Sequence, residues 1–232
     1  MVRYLSALIC LFFAGHCWSG ELTATEVKWL RAGWPVLEYA ESQQLPIDIV
    51  VQPEASADDL PVAMGFGDGR CQLVFSMRGN PNAEATLKGV STEDVGLVIE
   101  AMMAHEVAHC WRYMRGVWHT LPAGFTERPS VADNDSKIAQ IKQQMRDTRR
   151  EEGFADLVGL AWIQRAHPEH YAQVYSWFEQ VRKDQPVAGG HHDTRLWIRL
   201  ARDSAVFTKL DSPFEQANAV WTAGLLKEEA GQ

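Results

Sequence analysis

Residues 102–112, MMAHEVAHCWR, set two histidines four positions apart in an otherwise apolar run, with a glutamate directly after the first. Val98, Ile99, Met102, Met103, Val107 and Ala108 frame the pattern, so the segment is expected to be a buried helix. The spacing puts His105 and His109 on one helix face, one turn apart, where both imidazoles can reach a single ion. Glu106 is turned by about 100° from His105. It cannot easily bind the same ion, but it can reach a water beside it. That is the H-E-x-x-H arrangement, with the glutamate as general base. Two histidines and a glutamate in an apolar helix are costly to bury without partners, which favours a metal site over surface decoration.

The chain has 232 residues, a length expected of one domain with a sizeable core. Its net charge is -8, and the short basic run Arg146, Arg149, Arg150 is offset by Asp147, Glu151 and Glu152. No basic face of the kind a nucleic-acid binder uses is visible, so no nucleic-acid partner is expected. The first residues, MVRYLSALICLFFAGHCWSG, combine one positive charge, an apolar run too short to span a bilayer comfortably, and small residues after it. This is the layout of a secretory signal peptide over residues 1–19, cleaved after Ser19. Residues 20–232 are then an exported, periplasmic or secreted, single domain with no stable membrane insertion. Cys10 and Cys17 leave with the signal. Cys71 and Cys110 remain, a natural disulfide pair in an exported chain.

The mature chain is expected to open with a helix. Thr23 and Glu26 have capping-box spacing, apolar residues recur through Gln44, and Pro35 predicts a kink or break. Residues 46–53, 62–66 and 71–77 alternate like strands, with Asp68-Gly69 as a hairpin signal between the last two. Asn80-Pro81 marks a turn. Ser91 or Thr92 can cap a helix running through HEVAH to about Met114. A loop over 116–130 follows, then a helix or two over 131–166 and another over 169–184. Asp193 or Thr194 can cap a helix to about Leu210. Ser212-Pro213-x-Glu215 starts the last helix.

A third ligand is needed. Arg112 and Arg115 stand where the metzincin pattern requires glycine and histidine, so that spacing is absent. His119 lies in the loop and is expected to be exposed. In RREEGFADLVGLAWI, residues 149–163, Glu152 and Asp156 are four apart on one helix face. H-E-x-x-H followed by E-x-x-x-D on a second helix resembles the gluzincin zinc metallopeptidases. Arg149, Glu152, Ala155, Asp156 and Gly159 further resemble the R-x-x-E-x-x-A-D-x-x-G segment of the HtpX-like peptidases. The resemblance covers these two motifs only. It implies that Glu152 completes a His-His-Glu triad on Zn2+ and that Asp156 accepts the Nδ1–H of a ligand histidine. Glu151 is the rival ligand, disfavoured because Ala155 stands one turn later; its alternative role is a solvated partner of an arginine.

Gluzincins also place a histidine, tyrosine or arginine from the C-terminal part where the oxyanion develops. GGHHDTRLWI, residues 189–198, offers His191, His192 and Arg195, although Asp193 stands where the HtpX-like pattern has proline. The resemblance further implies that the strand starting at Cys71 is an edge strand to which an extended substrate could add, tied to the metal helix by Cys110. The expected fold is α+β and zincin-like: a small N-terminal sheet packed on a mostly helical body, with the metal between two helices. The expected function is a zinc metallopeptidase acting on a peptide or protein, with Glu106 as general base. An amidase acting on cell-wall peptides, or a non-catalytic partner-binding protein on the same scaffold, are the alternatives.

Overall fold

The computed structural model describes residues 21–56, 59–127, 136–184, 187, 189–207 and 212–230. The expected signal segment, 1–19, lies outside them. Helix α1 (Ala24–Ser42) starts from a complete capping box. Thr23 Oγ1 accepts the Glu26 N–H at 3.2 Å, and Glu26 Oε2 accepts the Thr23 N–H at 2.7 Å. Glu26 is fully buried and also accepts from Arg78 Nε at 2.8 Å, which anchors the helix start to the segment after the sheet. Pro35 lies inside α1 and does not break it.

Three strands follow: β1 (Ile47–Val51), β2 (Val62–Gly67) and β3 (Arg70–Phe75). β2 and β3 form the expected hairpin, with Gly67 opposite Arg70. Asp68 and Gly69 both have positive φ, 51° and 72°, as the two-residue turn demands. β1 pairs with β3 in parallel, so the order is β1-β3-β2. This corrects the expectation for the Cys71 strand. β3 is central and both its edges are taken; among the described residues the free edge on the hairpin side belongs to β2. Cys71, Leu73 and Phe75 alternate inward and are all fully buried.

After a short helix α2 (Asn82–Ala85), not anticipated from the sequence, comes α3 (Val95–Met114). It starts later than Ser91 suggested, because Ser91 spends its hydroxyl on the preceding turn. Its Oγ accepts the Asp94 N–H at 3.1 Å and donates to Asp94 Oδ2 at 2.6 Å. Residues 136–166 form one helix, α4 (Ser136–Ala166), and α5 (Tyr171–Lys183) follows it. α6 (Arg195–Leu200) is much shorter than expected. Neither candidate caps it: the Thr194 hydroxyl is drawn to Asp156, and Asp193 accepts from Gly189 N–H and Arg195. α7 (Pro213–Ala230) closes the described chain, with Ser212 Oγ accepting the Phe214 N–H. The protein is thus α+β, a small sheet beside a helical body. No helix among the described residues is long and apolar enough to cross a membrane.

α3 is the central element, packed against α1, α4 and the hairpin. Two glycines permit the close approach. A Cβ on Gly33 of α1 would lie 2.4 Å from Met103, and one on Gly159 of α4 would lie 2.9 Å from the backbone oxygen of Ala101. Cys71 and Cys110 sit at disulfide distance, with Cα atoms 5.7 Å apart, joining β3 to α3. Buried Arg150 on α4 bonds Glu228 at 2.7 Å and Glu229 at 3.0 Å on α7, and also Glu127. Trp221 Nε1 donates to the Arg150 carbonyl at 2.7 Å.

Two outcomes are expected. Gly159→Ala presses a methyl onto a helix backbone that cannot step aside, so urea denaturation should show a loss of about 1–3 kcal/mol. Intact mass before and after alkylation without reductant should reveal no reactive thiol; alkylation of both cysteines would rule the cross-link out.

Candidate metal centre

α3 and α4 together build the site. His105 and His109 project from one face of α3, and their Nε2 atoms are 3.2 Å apart. Glu152, two turns before the Gly159 contact on α4, faces both. Its Oε2 lies 3.4 Å from His105 Nε2 and its Oε1 lies 3.4 Å from His109 Nε2. Around a tetrahedral ion with bonds of about 2.0–2.1 Å, neighbouring donors stand about 3.3 Å apart. The three side chains are therefore spaced as one ion requires, and this group can hold a metal. The donor chemistry fits as well, two imidazoles and a carboxylate with no backbone in the set.

His105 is anchored from behind. Its Nδ1 is 2.9 Å from Asp156 Oδ1, so the natural tautomer has Nδ1–H donating and Nε2 free toward the site. Asp156 is fully buried and ionised. Burial pushes its pKa up, but Arg182 and His105 overcome this and bring it down to about 2. His109 has no such anchor among the described residues: its buried Nδ1 lacks a hydrogen-bond partner there, and the ring is held edge-on by Trp118 at 5.5 Å.

Glu151 is not in the group. It points the other way, is buried rather than solvated, and accepts from Arg112 Nε at 2.5 Å and from the His119 N–H at 2.8 Å. This corrects its expected surface role. The same arginine donates to the Val117 and Thr120 carbonyls and lies 4.4 Å over the Trp221 ring. It therefore fastens the loop after α3, and His119 belongs to that staple rather than to the metal group. Its positive φ of 56° fits the tight turn.

The histidines open onto a cavity of about 420 Å³. One wall is β2, whose Met64 N–H supports the Glu106 carboxylate. Another is α5, through Trp177, Phe178 and Val181, and Met102 lies between. Glu106 is 8% exposed. Burial lifts its pKa above the ordinary carboxylate range, with the two histidines pulling the other way. His192 reaches the cavity, its Nε2 3.6 Å from Glu152 Oε2, and burial lowers its pKa. His191 meets His192 edge-on at 4.5 Å between ring centres but is itself exposed and does not line the cavity. Arg195 is turned away, paired with Asp193 in a separate surface cavity beside Glu179 and Arg199.

The residue that sequence reasoning missed is Arg182. It lines the cavity, donates from Nε and Nη2 to both oxygens of Asp156, and lies 3.7 Å from Glu152 Oε2. Its place in the last turn of α5 gives the pattern of an ordinary helix-end cation, and no spacing rule links it to the motifs.

Without a metal, the two carboxylates keep a proton on His105. Burial opposes its charge, yet Asp156 and Glu152 raise the pKa from 6.5 to about 10. A raised folded-state pKa means a stabilisation that is full below 6.5 and lost as pH climbs through 10. The melting temperature of metal-free protein should accordingly fall between these pH values, and the fall should be absent in His105→Gln. A flat profile in wild type would contradict the charge arrangement described. Comparison with family models, with curated proteins and with solved structures finds no match to the chain.

Proposed function

We propose that the protein is an exported, zincin-like zinc metallopeptidase. The observation that carries this is the convergence of His105, His109 and Glu152 at mutual distances of 3.2–3.4 Å, with Glu106 on the floor of the same cavity. A purely structural zinc site closes its fourth position with another protein ligand and needs no base. Here the fourth side faces the cavity. Zinc, once bound, supplies Lewis acidity, activating water and polarising a carbonyl oxygen. His105, His109 and Glu152 would hold it.

The chain's own groups do the rest. Glu106 takes a proton from the water that attacks the peptide carbonyl carbon, then delivers it to the leaving nitrogen as the C–N bond breaks. Its burial excludes bulk water and strengthens it as a base. The Asp156–His105 hydrogen bond holds one imidazole in the ligating tautomer. The oxyanion-donor role is assigned to His192, supported by its lining the cavity, which neither His191 nor Arg195 does. The free edge of β2 and the apolar faces of α5 and Met102 suit an extended peptide. Export and the signal segment belong to the same proposal, supported by the N-terminal layout and by the Cys71–Cys110 pair, which an oxidising compartment would preserve.

Elemental analysis and a peptide-library assay test the proposal together. Wild type should carry about one zinc per chain, and Glu152→Ala should lose most of it. Glu106→Gln should keep the zinc but lose hydrolysis by about 100- to 10,000-fold. Wild type that takes up no zinc, or zinc-loaded wild type with no hydrolysis anywhere in the library, would sink the peptidase assignment.

A further inference from the structure

Asp156 is the most heavily bonded side chain at the site. Its Oδ1 accepts from His105 Nδ1 at 2.9 Å and from Arg182 Nη2 at 2.6 Å. Its Oδ2 accepts from Arg182 Nε at 2.8 Å and from Thr194 Oγ1 at 2.5 Å. Four donors therefore occupy the four lone-pair directions of one carboxylate. Two of the four come from a single planar guanidinium. A carboxylate turns readily about its last side-chain bond, whose preferences are broad. A two-point fork removes that freedom, because rotation would break both bonds at once. Thr194 alone could not do this, since it holds only one oxygen.

The consequence reaches the metal group. Among the described residues, Asp156 is the hydrogen-bond partner of His105 outside the metal group, whereas the Nδ1 of His109 has no hydrogen-bond partner and its ring meets Trp118 edge-on. His105 is thus the imidazole anchored by a hydrogen bond from behind, and the plane of its anchor is set from α5. We infer that Arg182 is a positioning residue of the metal centre, acting through Asp156 to hold His105 Nε2 in its ligating direction. This rests on the metal-centre assignment above. Arg182 also sits on the helix that lines the cavity with Trp177 and Val181, so the helix forming a wall of the cleft is the one that steadies the ligand.

Lysine keeps the charge but cannot make the fork. Arg182→Lys and Arg182→Met can be compared with wild type by chelator competition for Zn2+, by the visible spectrum after Co2+ loading, and by far-ultraviolet circular dichroism. Arg182→Lys should stay folded, bind Zn2+ roughly 10- to 100-fold more weakly, and give an altered cobalt spectrum. Arg182→Met takes two of the four donors and the guanidinium charge from buried Asp156, so it is the variant at risk of unfolding; in that event Arg182→Lys decides. A folded Arg182→Lys that binds Zn2+ within about threefold of wild type, with the same cobalt spectrum, overturns the role of Arg182 and leaves the metal centre standing. Wild type that takes up neither ion overturns the metal centre and this inference together.

Discussion

A buried, ionised carboxylate is among the most demanding groups a protein interior can hold, and Asp156 is fully enclosed. It stays charged because donors reach it from three neighbouring elements. His105 comes from α3, Arg182 from α5, and Thr194 from the start of α6, while Asp156 itself rides on α4. Those four elements must therefore keep their mutual positions, or the charge is left without partners. The same requirement explains two local departures from helix rules. Thr194 gives up its capping role, and the last turn of α5 carries an arginine turned inward rather than toward solvent.

The close approach of α3 and α4 makes this possible. His105 can reach Asp156, and both histidines can meet Glu152, only if the two helix backbones nearly touch. Gly159 supplies the contact by presenting no side chain to the Ala101 carbonyl. Ala155, fully buried between Glu152 and Asp156 in helical register, continues the same narrow strip. On its other side α3 is held by α1 at Gly33 and by β3 at Cys110, one residue beyond His109. The face of α3 that carries Met102, His105, Glu106 and His109 is left facing the cavity. The charged ladder of Arg149 and Arg150 with Glu228 secures α7, and Arg149 also holds the Gly189 carbonyl beside the His192 segment.

Much of this was legible in the chain, and for a common reason. Capping boxes, the Asp68-Gly69 turn and the H-E-x-x-H spacing are short-range patterns. Their geometry follows from the backbone repeat alone. Glu152 and Asp156 were legible through helix periodicity and a family-like order of motifs. The preference for Glu152 over Glu151 came from the residue one turn later, and the side chains fall accordingly. Where reading failed, the cause was long-range. Nothing local shows that β1 pairs with β3 and makes it central, or that the Thr194 hydroxyl has a better acceptor than its own helix. Arg195 looked suitable because it stood near two histidines in sequence. In space, Asp193 captures it at 2.6 Å and turns it away.

The amino-acid order alone therefore put His105 and His109 on one face of a helix with Glu106 beside them, and Glu152 and Asp156 on one face of another, because i, i+4 spacing on a helix dictates which side chains share a face. It also settled the hairpin turn and the start of α1, for the same local reason. Tertiary packing decided that Glu152 meets both histidines, that His192 rather than Arg195 enters the cavity, and that Arg182 holds Asp156. Those contacts join residues that lie from 26 (Arg182 and Asp156) to 47 (His105 and Glu152) apart in the chain and bring separate elements together. Their geometry depends on how α3, α4 and α5 pack, which no single stretch of sequence specifies.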